Sequence, residues 1–140
     1  MPRSDAERYD EETVEPPGKG LAVTAEGLYL ANLLLLPGPP FLVLVALALR
    51  HRDRATPLAA CHLRQTIAGS LWAFVLLVVV GLILVGIGWG NPAATLTVAI
   101  TYLVCCHSVL VLAGMIGLAK AMAGKAYRYP LIGRPCKGAG

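Results

Sequence analysis

Charge and apolar sequence fall into separate blocks along this chain. Residues 1–20 are polar and acidic, carry Pro16-Pro17-Gly18, and show no apolar periodicity, so they read as a loose tail. Residues 21–133 form one membrane domain with three apolar segments, at 27–49, 67–89 and 93–119, and 134–140 is a short basic tail. The second segment holds 23 residues with no charge and Ser70 as its one conventional polar side chain. At helical rise it spans about 35 Å, enough for a hydrocarbon layer about 30 Å thick. The third is equally free of charge but contains Thr95, Thr97, Thr101, Tyr102, Cys105, Cys106, His107 and Ser108. Only Gly90-Asn91-Pro92 separates the two, which predicts an antiparallel transmembrane hairpin with Trp89 anchored at the interface.

The first segment has the right length but carries Pro37-Gly38-Pro39-Pro40 at its centre. Three prolines in four residues cannot continue a helix, because each removes a backbone donor and crowds the preceding turn. The segment is therefore broken, either as an interrupted crossing helix or as a re-entrant hairpin of two halves. Its length and the acidic tail favour the crossing form, with the N-terminus outside; the re-entrant form places that tail in the cytoplasm. The expected fold class is an all-α membrane protein.

Composition supports this picture. Charged residues make up 14% of the chain, against roughly a quarter in soluble domains. The net charge of +4 lies where it orients the chain. Arg50, Arg52, Arg54 and Arg64 flank the second segment, and Lys120, Lys125, Arg128, Arg134 and Lys137 follow the third. The positive-inside rule puts both regions, 50–64 and the C-terminus, in the cytoplasm of a bacterial inner membrane. Arg50, Arg52 and Arg54 are placed to meet anionic lipid headgroups. Basic residues that flank apolar runs, without interleaved aromatics, do not suggest nucleic acid. No signal peptide is visible at the N-terminus. Cys61, Cys105, Cys106 and Cys136 are too scattered for a disulfide framework and read as small hydrophobes and stray thiols.

Cys61-His62-Leu63-Arg64-Gln65-Thr66 leads into the second segment, and Gly124-Lys125-Ala126-Tyr127-Arg128-Tyr129-Pro130-Leu131-Ile132-Gly133 follows the third. With the proline break, these stretches resemble a family of small uncharacterised bacterial polytopic membrane proteins. That family is distantly similar to the chloroplast inner-envelope import component of the Tic complex. The likeness covers about residues 22–133 and implies architecture: short hydrophobic segments, a polar junction with His62 and Gln65, and an aromatic-basic-aromatic-proline signature. Thr66-Ile67 departs from the family's helix start, and no catalytic set is carried over.

Candidate chemistry is sparse. His107 lies at the middle of the third segment, where an ionisable group marks a functional site by default, and Asn32 and Tyr102 are candidate companions in an intramembrane polar seam. Adjacent Cys105-Cys106-His107 have poor ligand spacing, so neither a metal nor a cofactor is expected. Gly86 with Gly90, and Ala113 with Gly117 and Gly114 nearby, offer close-packing faces. Hydrolase, Walker and zinc motifs are absent. Asp53 is the only carboxylate after Gly27, which leaves no acid–base pair and argues against an enzyme. His62, Arg64 and Gln65 share a side with Tyr127, Arg128, Tyr129 and Pro130 and form the candidate docking surface. The expected function is a non-catalytic accessory or assembly subunit of a larger membrane complex. The alternative is a homo-oligomeric channel or transporter subunit with its seam around His107.

Overall fold

A computed structural model describes residues 15–133, 135 and 136. Most of the N-terminal tail and of the 134–140 tail lies outside the described residues. Those described are helical and contain no strand: α1 (Lys19–Leu34), α2 (Pro39–Arg50), α3 (Pro57–Phe74), α4 (Gly81–Ile87) and α5 (Pro92–Met122). A π-helical stretch, Val75–Val80, joins α3 to α4, so Pro57–Ile87 is one continuous helix of 31 residues.

The helix ends follow local chemistry. Thr56 accepts a hydrogen bond from the Ala59 N–H, and Asn91 does the same for Ala94; each precedes a proline at the first helical position. These caps start α3 ten residues before the uncharged run. Cys61 to Thr66 is thus helix rather than a junction before one. The Pro37–Pro40 cluster also has a regular use. Pro39 and Pro40 occupy the first turn of α2, and the Asn32 side-chain oxygen accepts from the Gly38 N–H at 2.9 Å across the gap.

α1 runs alongside α3 in the same direction, with Gly18 against Thr56 and Ala59, Glu26 against His62, and Tyr29 against Gly69. α2 then turns back. Leu44 packs with Ala25 and Leu63, and Leu47 packs against the same cluster. The chain leaves α2 at Arg50, only six residues before Thr56. Both ends of the first segment therefore lie at the start of α3. This geometry differs from the interrupted crossing helix that its length and acidic tail favoured; a half-length α1 ends where its prolines begin, and burying Leu44 folds α2 onto it.

α5 lies against α3–α4 in the opposite sense. The Tyr102 hydroxyl donates to the Leu76 carbonyl at 2.7 Å inside the π-helical stretch, Gly81 meets Leu103, and Gly88 meets Thr95. Two helices, Pro57–Ile87 and Pro92–Met122, are long and apolar enough to cross a membrane. Only 17% and 11% of their most apolar stretches are buried, so these are not the core helices of a water-soluble domain. Leu82, Ile83, Ile87, Leu96, Val98 and Val104 all face outward.

Candidate functional site

The most constrained part of the molecule is a buried polar cluster at which α1, α3, α5 and the segment after α5 meet. Glu26, on the inner face of α1, is fully buried with the Ala22, Ala25 and Tyr29 side chains around it. Its Oε1 lies 2.6 Å from His62 Nδ1, and its Oε2 accepts the Tyr129 hydroxyl at 2.5 Å. His62 Nε2 is 3.1 Å from the Lys125 carbonyl. A carbonyl only accepts, so Nε2 carries a hydrogen. One further proton is then shared between Nδ1 and Glu26, as an imidazolium–carboxylate or an imidazole–carboxylic acid pair.

The aromatic rings close the cluster. Tyr29 and Tyr129 lie 5.5 Å apart, as do Tyr127 and Tyr129, all tilted. Tyr29 donates to the Leu110 carbonyl of α5 at 3.2 Å. Burial pushes the Tyr129 hydroxyl far above its ordinary range, and the neighbouring Glu26 carboxylate pushes the same way; Tyr127 is raised for the same two reasons. Glycine makes the close approach possible. A side-chain carbon on Gly117 would sit 2.6 Å from Glu26 Oε2, and one on Gly69 would sit 2.8 Å from the Tyr129 ring.

The chain after Met122 thus forms a strap over α3. It is pinned by His62 at Lys125, by Glu26 at Tyr129, and by a disulfide between Cys61 and Cys136 whose Cα atoms are 5.2 Å apart. This bridge corrects the reading of Cys61 and Cys136 as stray thiols. Seventy-five residues separate them, and the fold of the strap alone brings them together. Cys105 and Cys106 remain free.

His62, Arg64, Gln65, Tyr127, Arg128, Tyr129 and Pro130 do come together, but largely inside the protein. His62, Gln65 and Tyr129 are buried, and Tyr127 is half-buried. Of the seven, only Arg64, Arg128 and Pro130 are exposed. The Arg128 Nε donates back to the Gly133 carbonyl at 3.1 Å. Arg50, Arg52 and Arg54 are exposed at the end of α2 and in the turn before α3, the end at which the strap is fastened.

Asn32, Tyr102 and His107 form no common seam. Asn32 borders a groove of about 630 Å³ with Phe41, Ser70 and Phe74; Tyr102 borders another of about 800 Å³ under Pro130–Ile132; His107 borders neither. The hydroxyls of Thr97, Thr101 and Ser108 donate to carbonyls four residues back on α5 itself. Gly114 and Gly117 face α1, whereas a side-chain carbon on Gly86 or Gly90 would meet nothing within 4 Å among the described residues.

Glu26 was the residue that sequence reasoning missed, because the first apolar run was counted from Gly27. It is the only charge between Lys19 and Arg50, and an isolated carboxylate in an apolar helix is the signal that points to it. It supplies the carboxylate partner that the sequence had been read to lack. Its side chain, with those of His62 and Tyr129, is sealed from solvent. No group of three or more His, Cys, Asp or Glu among the described residues is placed to hold a metal ion.

Comparison with curated proteins and with solved structures found no match. Residues 19–135 match the MamF/MmsF family, described as a magnetosome magnetite crystal formation protein family. The match supports a small bacterial membrane-protein family, and nothing in the comparisons supports the likeness to the chloroplast import component. The matched region runs from the start of α1 to the residue before the bridging Cys136, taking in the whole buried cluster, so the chain belongs to the MamF/MmsF family of magnetosome-associated membrane proteins.

Proposed function

We propose that this protein is a non-catalytic accessory subunit of a membrane protein complex, acting at the membrane where magnetite crystals form. The observation that carries the reading is the division of its surface. Buried Glu26, His62, Gln65 and Tyr129 are used to hold the chain's own helices and strap together. The outer parts of α3–α4 and α5, by contrast, stand as a bare pair with apolar side chains turned outward. Such a pair offers lipid or partner helices a broad apolar face, with Gly86 and Gly90 uncovered on it.

In this reading Pro57–Ile87 and Pro92–Met122 cross as an antiparallel transmembrane hairpin, and α1–α2 enters and leaves on one side. Arg50, Arg52, Arg54, Arg64, Lys120, Lys125 and Arg128 then lie at one headgroup layer, the cytoplasmic one by the positive-inside rule. The N-terminal tail shares that side. Exposed Arg64, Arg128 and Pro130 extend the docking surface.

The test is extraction in gentle detergent from native membranes at natural abundance, with mass spectrometry of what co-purifies. A membrane complex in fixed stoichiometry is expected. Recovery of a lone homo-oligomer that conducts ions in planar bilayers would sink the reading and favour transport.

A further inference from the structure

We infer that the Cys61–Cys136 bridge is a thiol–disulfide exchange site for a small anionic thiol, and that opening it unfastens the strap. The inference rests on the cytoplasmic placement of this end of the molecule proposed above. A permanent structural disulfide is not expected in a reducing compartment, and bridges found there are characteristically exchanged.

The bridge is built asymmetrically. Cys61 is only 4% exposed on α3, while Cys136 is half-exposed at the end of the strap. A cavity of about 180 Å³ opens beside them, bordered by Pro57, Ala60, Arg64, Gln65 and Pro135 as well as the two cysteines. It has room for the cysteinyl end of a small thiol, and no carboxylate among the described residues lines it. Arg64 is exposed at its edge, placed to attract a carboxylate of the incoming molecule. The Gln65 side-chain amide donates to the Cys136 sulfur at 3.5 Å.

Accessibility makes Cys136 the sulfur that is attacked. The incoming thiolate forms a bond to Cys136 Sγ, the Cys136–Cys61 bond breaks, and its electron pair leaves on Cys61, which takes a proton from water. Cys61 suits the leaving role, because Arg64 is one turn along the same helix and the N-terminus of α3 is close. A second thiolate then attacks the outer sulfur of the mixed disulfide. This releases Cys136 as a thiol and the two small thiols as their disulfide, with two electrons passed to the bridge. The strap then keeps its contacts with Glu26, His62 and Tyr29 but loses its covalent fastening.

The experiment uses the full chain in phospholipid nanodiscs, with Cys105→Ala and Cys106→Ala so that only the bridging cysteines react. Reduced glutathione is the anionic probe and 2-mercaptoethanol the neutral one, and intact-mass and peptide mapping follow the products. Expected are a mixed disulfide on Cys136, a glutathione rate lowered about fivefold by Arg64→Gln, and an unchanged rate with the neutral thiol. Trypsin cleavage after Arg128 should accelerate once the bridge is open. Equal loss of rate for both thiols, a mixed disulfide on Cys61, opening only by a dithiol protein, or unchanged cleavage would each overturn the inference. Orientation is read separately by an impermeant maleimide on reduced, intact cells. Labelling of Cys136 from outside would overturn the cytoplasmic placement, while the exchange rates on purified protein stand or fall by themselves.

Discussion

The two ends of this molecule solve the same problem in opposite ways. At one end α1, α2, the first half of α3, the last turns of α5 and the strap pack around Glu26, His62, Tyr29 and Tyr129. At the other, α4 and the first half of α5 stand as a pair, with Gly81 and Ala99 the only buried residues there. In the first region polar groups satisfy one another inside the protein. In the second they are nearly absent: Thr97 and Thr101 return to their own helix, and Tyr102 and Thr95 bond single carbonyls of the facing one. A membrane protein this small can concentrate its specificity in one half and leave the other for lipid or a partner.

The comparison breaks most easily at Glu26. Glu26→Ala leaves His62 and the Tyr129 hydroxyl buried without their partner, and a cost of about 3–5 kcal/mol is expected. Denaturant unfolding in mixed micelles measures it, and a loss below that found in the bare half would dissolve the distinction. Next is Cys136→Ser, which frees the end of the strap. Closure of so long a loop sets an expected loss of about 2–4 kcal/mol in the oxidised protein. No loss is expected when the parent is measured reduced.

Tyr129→Phe keeps the ring against Tyr29 but removes the bond to Glu26, and about 1–3 kcal/mol should go with it. The same hydroxyl gives the cluster a pH signature. Burial raises its pKa on folding, so the protonated form is favoured in the native state. The stabilisation is complete below the ordinary tyrosine value of about 10 and is lost as pH rises above it. Ultraviolet titration should find Tyr129 silent until the protein unfolds and Tyr127 titrating above its ordinary value, and a smooth titration of every tyrosine near the ordinary value would contradict the buried cluster. The smallest effect belongs to the bare half. Leu82→Ala, on an outward face of α4, should change stability by no more than about 0.5 kcal/mol, yet weaken co-purification if that face docks a partner.

Much of the frame was legible before any coordinates. Uncharged runs of membrane length define the apolar parts of the two long helices, Gly90-Asn91-Pro92 marks the turn between them, and the proline cluster marks the break in the first segment. These are local rules, set by backbone donors, ring sterics and the length of apolar sequence. The hydroxyls of α5 misled for a related reason: composition shows a polar side chain but not that it bonds four residues back.

What only the tertiary structure decided is who meets whom. Glu26 and His62 are 36 residues apart, Glu26 and Tyr129 are 103 apart, and the bridging cysteines 75 apart. No periodicity encodes such pairings, because each depends on α2 folding back, on glycines letting α1 approach α5, and on the strap returning along α3. The sequence by itself determined which segments are helical and which belong in a membrane. Packing decided that a lone carboxylate, a histidine and a tyrosine share one dry site, since burying any one of them without the others costs more than the fold can spare.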